Sequence, residues 1–230
     1  DIYKMLIDSR SLNTSLYSLL KGKVEVLSAE SIPTSLKCIK NKTEINNTIN
    51  AHIKDGVAVT RFMYWLSKTF SQGASNETEI SLEKKLHEFR KEQEGFLDES
   101  FNTISAWAEH GAIVHYEATP KTDAAITSDN YLLVDSGGHY LEGTTDITRT
   151  FLIGKASSKM IRDYTLVLKS NISLAKARFL SGVTGKSLDV LARNILWNEG
   201  IDFLHGTGHG VGHILSVHEG PNNISFRNTR

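Results

Sequence analysis

The chain has 230 residues, 40% of them apolar and 23% charged, with 26 Lys and Arg balancing 26 Asp and Glu. That length can bury a sizeable core in one large domain or one and a half, and the neutral balance sets up no field toward nucleic acid or an anionic membrane. No apolar run approaches the roughly 18 residues of a membrane span, and Asp1-Ile2-Tyr3-Lys4-Met5 lacks the basic start and apolar stretch of a secretory signal.

The chain starts without Met, so we expect it to begin inside a longer protein. Residues 2 to 8 and 23 to 28 are short apolar, β-branched runs around an amphipathic Ser9–Leu20, a β-α-β pattern too small to stand alone. Pro33 is expected to punctuate the chain. Cys38 has no partner for an internal disulfide; it is expected to be a buried thiol in a reducing, cytoplasmic setting. From Thr43 to Lys68 the pattern predicts a long helix with Ile45, Ile49, Ile53, Val57 and Val59 on its core face, running through Gly56. Residues 72 to 76 predict a loop. Leu82, Leu86 and Phe89 then mark a second helix, with Asn76 and Glu79 at capping-box spacing. Ile104–Val114 and Tyr131–Val134 predict strands, and the turn pairs Gly137-Gly138 and Glu142-Gly143 predict antiparallel pairing between Asp135 and Phe151. Further helices are expected over Ser158–Phe179 and Ser187–Asn198, the last closed by Gly200, and a strand or extended loop follows. The class is α+β or mixed α/β.

His205-Gly206-Thr207-Gly208-His209-Gly210-Val211-Gly212-His213 and Val217-His218-Glu219-Gly220-Pro221 place four of the nine histidines within 14 residues. Glycine between them lets backbones approach closely, so the segment reads as a fixed site rather than a packed core. Four-residue spacing of His205 and His209 would share a helix face, but the interleaved glycines make a helix improbable. The glycines do not follow GxGxxG, and Gly185-Lys186-Ser187 lacks the leading glycine of a phosphate loop because position 180 is Leu. Both nucleotide-loop readings therefore fail. Upstream, Asp135 closes an apolar run before Gly137-Gly138, where a turn role competes with a ligand role. Asp146 lies among Thr144, Thr145, Ile147 and Thr148, which favour strand, and a strand Asp demands a partner. Two carboxylates folded together by a hairpin repel unless a cation lies between them. His115 follows an apolar strand and by itself reads as an edge histidine; His52, His87 and His110 read as solvated.

Asp135-Ser136-Gly137-Gly138, Gly143-Thr144-Thr145-Asp146-Ile147-Thr148-Arg149-Thr150, the His205–Gly212 run, His218-Glu219-Gly220-Pro221 and Ile113-Val114-His115-Tyr116 closely resemble the Xaa-Pro aminopeptidases (aminopeptidase P). These are dinuclear metallopeptidases of the pita-bread fold, related to prolidase, methionine aminopeptidase and creatinase. The resemblance runs from about Leu36 to Arg230 and implies a partial pita-bread catalytic domain over 37–230. Residues 1–32 then resemble the tail of a preceding creatinase-type α/β domain. It further implies Asp135 and Asp146 as carboxylate ligands, the latter bridging, His209 as the imidazole ligand, and His115, His205 and His218 as residues that handle substrate and protons. Two Mn²⁺ ions, or other divalent ions, would fit hard oxygens with one imidazole.

The implied reaction is hydrolysis, by a metal-bridged hydroxide, of the bond between an N-terminal residue and proline. The partners implied are peptides with proline second, without nucleic acid or membrane, and the resemblance implies a homodimer of the full-length protein. The family also uses two glutamates, one in a Glu-Pro-Gly segment beyond His-Glu-Gly-Pro, and the chain reaches Arg230 before either. The expectation is therefore a C-terminally incomplete fold and an inactive, weakly metal-binding piece. The alternatives are a prolidase acting on dipeptides and a non-catalytic pita-bread binding module; the retained Asp135, Asp146 and His209 speak against the module.

Overall fold

The computed structural model describes residues 3–71 and 75–226. The expected loop at 72–76 lies outside the described residues except for Ser75 and Asn76, which are irregular. The chain divides into two units, Asp1–Lys42 and Thr43–Arg230.

In the first unit, β1 (Lys4–Ile7) and β2 (Glu25–Ser28) pair in parallel across the helix α1 (Thr14–Leu20). The helix starts later than the expected Ser9. The Asn13 side chain accepts from Leu16 N (2.9 Å) as its cap, while the Asp8 carbonyl takes the amides of Ser11 and Leu12 into a turn. Pro33 does not break the chain: it sits in the first turn of α2 (Ile32–Lys37), where its missing N–H has no intrahelical acceptor to lose. Cys38 is half-buried and its thiol meets the Ser35 carbonyl, contrary to the expected buried thiol, because the short α2 leaves it at a solvated helix end.

The second unit opens with α3 (Lys42–Ser71) and α4 (Glu79–Lys91). The cap of α4 is Thr78, in reciprocal hydrogen bonds with Ser81, not the expected Asn76 and Glu79. The buried face of α3 is Ala51, Asp55, Ala58, Val59, Phe62 and Leu66. The expected row Ile45, Ile49, Ile53 and Val57 points outward, with Ile49 and Ile53 53% and 61% exposed. Steps of four overshoot the helical repeat and drift around the axis, whereas the 51-55-58-62-66 row keeps to one side.

Next come β3 (Phe96–Glu99), β4 (Ile104–Trp107), β5 (Asn130–Ser136), β6 (Gly138–Tyr140), β7 (Gly143–Thr144) and β8 (Ile147–Ile153). The antiparallel sheets run β4-β5-β8 and β3-β6-β7. The strand expected to reach Val114 stops at Trp107, whose amide turns to the Glu79 carboxylate (2.6 Å) before a 3-10 turn over Ala108–Ala112. Helices α3 and α4 cover one face of β4-β5-β8, with Phe62, Leu82, Leu86, Trp107, Leu132 and Val134 in the core. Each such fully buried side chain stabilises the fold by about 1.5–3 kcal/mol. Leu132, Val134 and Ser136 point into this side of β5, so Asp135, one step out of phase, projects from the opposite face.

The unit closes with α5 (Ser158–Ala175), which ends before the expected Phe179, then α6 (Gly185–Trp197) and an antiparallel pair, β9 (Gly208–Val211) and β10 (His218–Ile224). The strand reading of the His/Gly segment holds. Among the described residues no helix is long and apolar enough to cross a membrane.

Candidate active site

Two walls face one another. The first is made by β5 and the β7–β8 connection. Asp135 pairs in register with Thr148, whose hydroxyl donates to Asp135 Oδ1 (2.6 Å). Asp146 was expected inside a strand; it stands in the break between β7 and β8, half-buried. A break there suits a residue that strands disfavour, because it frees the carboxylate from the ladder.

Gly137 makes this corner possible. A Cβ at Gly137 would overlap the Thr145 carbonyl oxygen and the Ser100 hydroxyl, which themselves hydrogen bond (2.9 Å). Gly137→Ala is therefore expected to lower stability by about 1–3 kcal/mol through overpacking and to shift Asp146. Urea unfolding together with Mn²⁺ titration checks it, and a variant equal to wild type in both would contradict it.

The second wall is the β9–β10 hairpin. A Cβ at Gly210 would strike the Glu219 carbonyl, so the glycines of the histidine run allow close strand pairing. His209 on β9 places Nε2 3.3 Å from Asp146 Oδ2. Its Nδ1 lies 2.8 Å from the Gly210 carbonyl. A carbonyl only accepts, so the Nδ1–H donates, and in the neutral ring Nε2 turns a lone pair toward the carboxylate. His218 on β10 meets the His209 ring edge-on, with centroids 4.0 Å apart. The hairpin is tied to the first wall where Ile214 N donates to Thr144 Oγ1 (2.8 Å).

Among the described residues, Asp146, His209 and His218 offer donor atoms all within 4.8 Å of one another. Asp135 stands outside that group, but its charge is felt there. Burial, then Asp135, pushes the Asp146 carboxyl above the usual carboxylate range, against the pull of His209, His218 and His52. Burial first, then His209 and His115, lowers the His218 imidazole, with Asp146 and Asp135 opposing. Excess negative charge meeting an imidazole lone pair at 3.3 Å is a donor set that suits a divalent cation.

His115 is exposed at a positive φ of 56° and acts on His218. Its loop is pinned by Glu79, a fully buried carboxylate that accepts from Trp107 N (2.6 Å), His110 Nδ1 (2.8 Å), Tyr116 OH (2.8 Å) and Ala124 N (3.1 Å). His110 is thus half-buried and bonded, and His87 bonds Glu99 Oε1 (2.8 Å); neither is merely solvated as expected. In both cases a buried or shielded carboxylate captures the ring. His205 is not drawn into the donor group: its Nδ1 donates to the Gly206 carbonyl (2.7 Å) and its ring tilts against Phe203.

Sequence reasoning missed three features. His52 on α3 lies near enough to influence Asp146. Asp55 and Arg90 form a fully buried pair behind the first wall. Arg90 Nε donates to Asp55 Oδ1 (2.7 Å), and its Nη2 donates to Ser136 Oγ (3.0 Å). Asp55 also accepts from Tyr140 OH (3.0 Å) and Thr145 Oγ1 (2.7 Å). Asp189 and Arg193 form a second fully buried pair, on α6. The signal for Asp55 was a charge in the middle of the 51-55-58-62-66 row; His52 had none, being remote in sequence from its target.

Residues 46–230 match metallopeptidase family M24. The chain is 43% identical over 227 residues to Xaa-Pro aminopeptidase 1 of Dictyostelium discoideum, covering 97% of this chain and 36% of that relative. The X-prolyl aminopeptidase of Caenorhabditis elegans, described as a cytosolic enzyme with a di-nuclear active site, has a similar structure. The TM-score is 0.86 at 40% identity, over 92% of this chain and 34% of that one. The Xaa-Pro dipeptidase of Bacillus anthracis gives a TM-score of 0.81 at 28% identity, over 98% and 60%. The chain thus spans about a third of the length of the aminopeptidases it resembles.

Proposed function

The chain belongs to metallopeptidase family M24, with its pita-bread fold, and from that footing we propose that the protein carrying it is an Xaa-Pro aminopeptidase. It would hydrolyse the bond between an N-terminal residue and a following proline. The observation that carries the reading is the facing of Asp146 Oδ2 and His209 Nε2 at 3.3 Å, with Asp135 adding negative charge. Asp135, Asp146 and His209 would hold two divalent ions, Mn²⁺ by the hardness of the carboxylates. When bound, such ions lower the pKa of water and polarise the scissile carbonyl.

The chain's own residues supply the rest. His218, edge-on to His209, is placed to accept or return a proton beside the donors. His115, held on the loop that Glu79 fixes, is placed to hydrogen-bond the peptide. His205, on the exposed segment before β9, lines the approach. Proline at the second position is selected by shape, since its amide has no N–H to donate. A cytoplasmic location and a homodimer of the whole protein belong to the same proposal; the first is supported by the cytosolic relative.

Residues 1–230 alone are expected to bind Mn²⁺ weakly. The three ligands offer roughly five donor atoms, about half of what two ions need.

Likeness to a dipeptidase keeps a prolidase as the second reading. The protein carrying this sequence, loaded with Mn²⁺, is expected to cleave Arg-Pro-Pro and longer peptides and to leave Arg-Ala-Ala intact. Cleavage of Xaa-Pro dipeptides alone would replace the aminopeptidase by a prolidase. No turnover and no Mn²⁺ binding by calorimetry would leave a non-catalytic module.

A further inference from the structure

Arg193 on α6 is fully buried and commits its guanidinium in several directions. Nε donates to Asp189 Oδ2 (2.7 Å), one helical turn earlier. Nη1 donates to Asp202 Oδ1 (2.8 Å) and to the Phe203 carbonyl (2.6 Å), and Nη2 donates to the His205 carbonyl (2.7 Å). The rings of Phe203 and Phe226 stack on the guanidinium, their centroids 3.9 and 4.4 Å from its carbon. Asp189 reaches the same segment where Oδ1 accepts from the Thr207 hydroxyl, and reaches the residues after β10 where Oδ2 accepts from Phe226 N (3.0 Å).

A pair serving α6 alone would be complete with its one-turn ion pair. This one directs all but one of its remaining side-chain bonds to residues 202–207, the run that leads into β9, and the last to Phe226 N after β10. His205 is held at its carbonyl and Thr207 at its hydroxyl, with Thr207 N also bonded to the Ile224 carbonyl (2.9 Å). The residues between and after them, Gly206 and Gly208, have the greatest conformational freedom to lose. Without a clamp, nothing in their side chains would fix the backbone that presents His205 and His209. The guanidinium fork suits the task because its planar donors address several acceptors at once, which an ammonium cannot.

We infer that Asp189 and Arg193 are positioning residues for His205 and His209, a buried ion pair that sets the orientation of the histidine wall from α6. The inference deepens the metallopeptidase reading and rests on it for its kinetic consequences.

The test uses the protein that carries this sequence, with Thr207→Val, Thr207→Ser and Arg193→Lys. Thr207→Val keeps the branched shape and removes the hydroxyl. It is expected to weaken Mn²⁺ binding and to lower kcat, each by about 10–100-fold, as loss of a partner behind a metal ligand does, with KM little changed. Thr207→Ser keeps the donor and should restore both. Arg193→Lys should resemble Thr207→Val; if it fails to fold, the Thr207 pair decides. The ¹⁵N-imidazole spectra of metal-free wild type and Thr207→Val give a readout independent of activity. Displaced His205 and His209 signals with an unchanged melting transition support the inference. Unchanged spectra with wild-type Mn²⁺ affinity in Thr207→Val overturn it. If the wild type neither binds Mn²⁺ nor cleaves Xaa-Pro peptides, the metallopeptidase reading falls, and the metal-free spectra alone still decide whether the clamp positions the histidines.

Discussion

Asp146→Asn is expected to abolish divalent-metal binding and peptide turnover while leaving the metal-free fold at least as stable as wild type. The two effects are expected to have opposite signs because the carboxylate proposed to hold metal is unfavourably placed in the apoprotein. Its oxygen faces His209 Nε2 at 3.3 Å, with Asp135 close enough to repel it. If Asp146 is a direct ligand, as proposed, its loss should exceed the roughly 10–100-fold penalty for losing a partner behind one.

For stability, the Asp146 carboxyl is raised in the folded state, first by burial and then by Asp135. A raised carboxylate binds more protons folded than unfolded, so its contribution becomes unfavourable as pH climbs through the ordinary carboxylate range and stays so above the folded pKa. Asparagine removes that contribution. In chelator at neutral pH, Asp146→Asn should melt no lower than wild type, and any gain should vanish in acid, where Asp146 is protonated in both states. Calorimetric Mn²⁺ titration, turnover of Arg-Pro-Pro and melting in chelator at two pH values check the three parts. Metal binding at wild-type strength by the variant would remove Asp146 from the centre.

Why these walls were visible in the chain and their supports were not comes down to periodicity. Asp135 is preceded by an apolar run and followed by paired glycines, so strand, turn and protruding carboxylate could be read together. The glycines around His205 and His209 ruled out a helix, and β9 is a strand. By contrast, Asp55, Arg90, Asp189 and Arg193 lie on helices, where a charge ordinarily marks the solvated face, yet all four are fully buried. Their partners lie up to 90 positions away, as between Asp55 and Thr145, and no local pattern encodes a contact of that span. Ile45, Ile49 and Ile53 show the converse: a regular apolar row predicts a core face yet points outward, while small Ala51 and Ala58 on the true inner face carry a weaker apolar signal. Glu79 has the spacing of a cap but serves as a buried acceptor for four donors, a role that depends on Trp107, His110, Tyr116 and Ala124 folding back over it.

Asp55→Ala should destabilise the protein by about 3–5 kcal/mol, because it leaves the Arg90 cation buried with its main counter-charge gone. Against a total stability of about 5–15 kcal/mol, that is enough to populate the unfolded chain. The geometry makes the loss more than Coulombic. Tyr140 OH and Thr145 Oγ1 both donate to Asp55, and both would lose their buried acceptor. Arg90 would keep only Glu99 (2.9 Å) and Ser136. Burial works against the Arg90 cation, and Asp55 and Glu99 more than offset it, so removing Asp55 tips that balance.

The double variant Asp55→Leu, Arg90→Met separates stability from function. Replacing a buried pair by apolar residues of similar volume is often neutral or stabilising, so the double variant should recover most of what Asp55→Ala loses in urea unfolding. It should not recover the site. Thr145, next to Asp146, loses its Asp55 acceptor in both variants, and Ser136, next to Asp135, loses its Arg90 donor in the double variant, so Mn²⁺ affinity should stay about 10–100-fold below wild type. A stable double variant with wild-type Mn²⁺ affinity would show that Asp55 and Arg90 hold the fold without aligning the carboxylates. A stable double variant with weakened affinity would show that the pair, buried at the junction of α3, α4 and the carboxylate wall, sets where Asp135 and Asp146 stand.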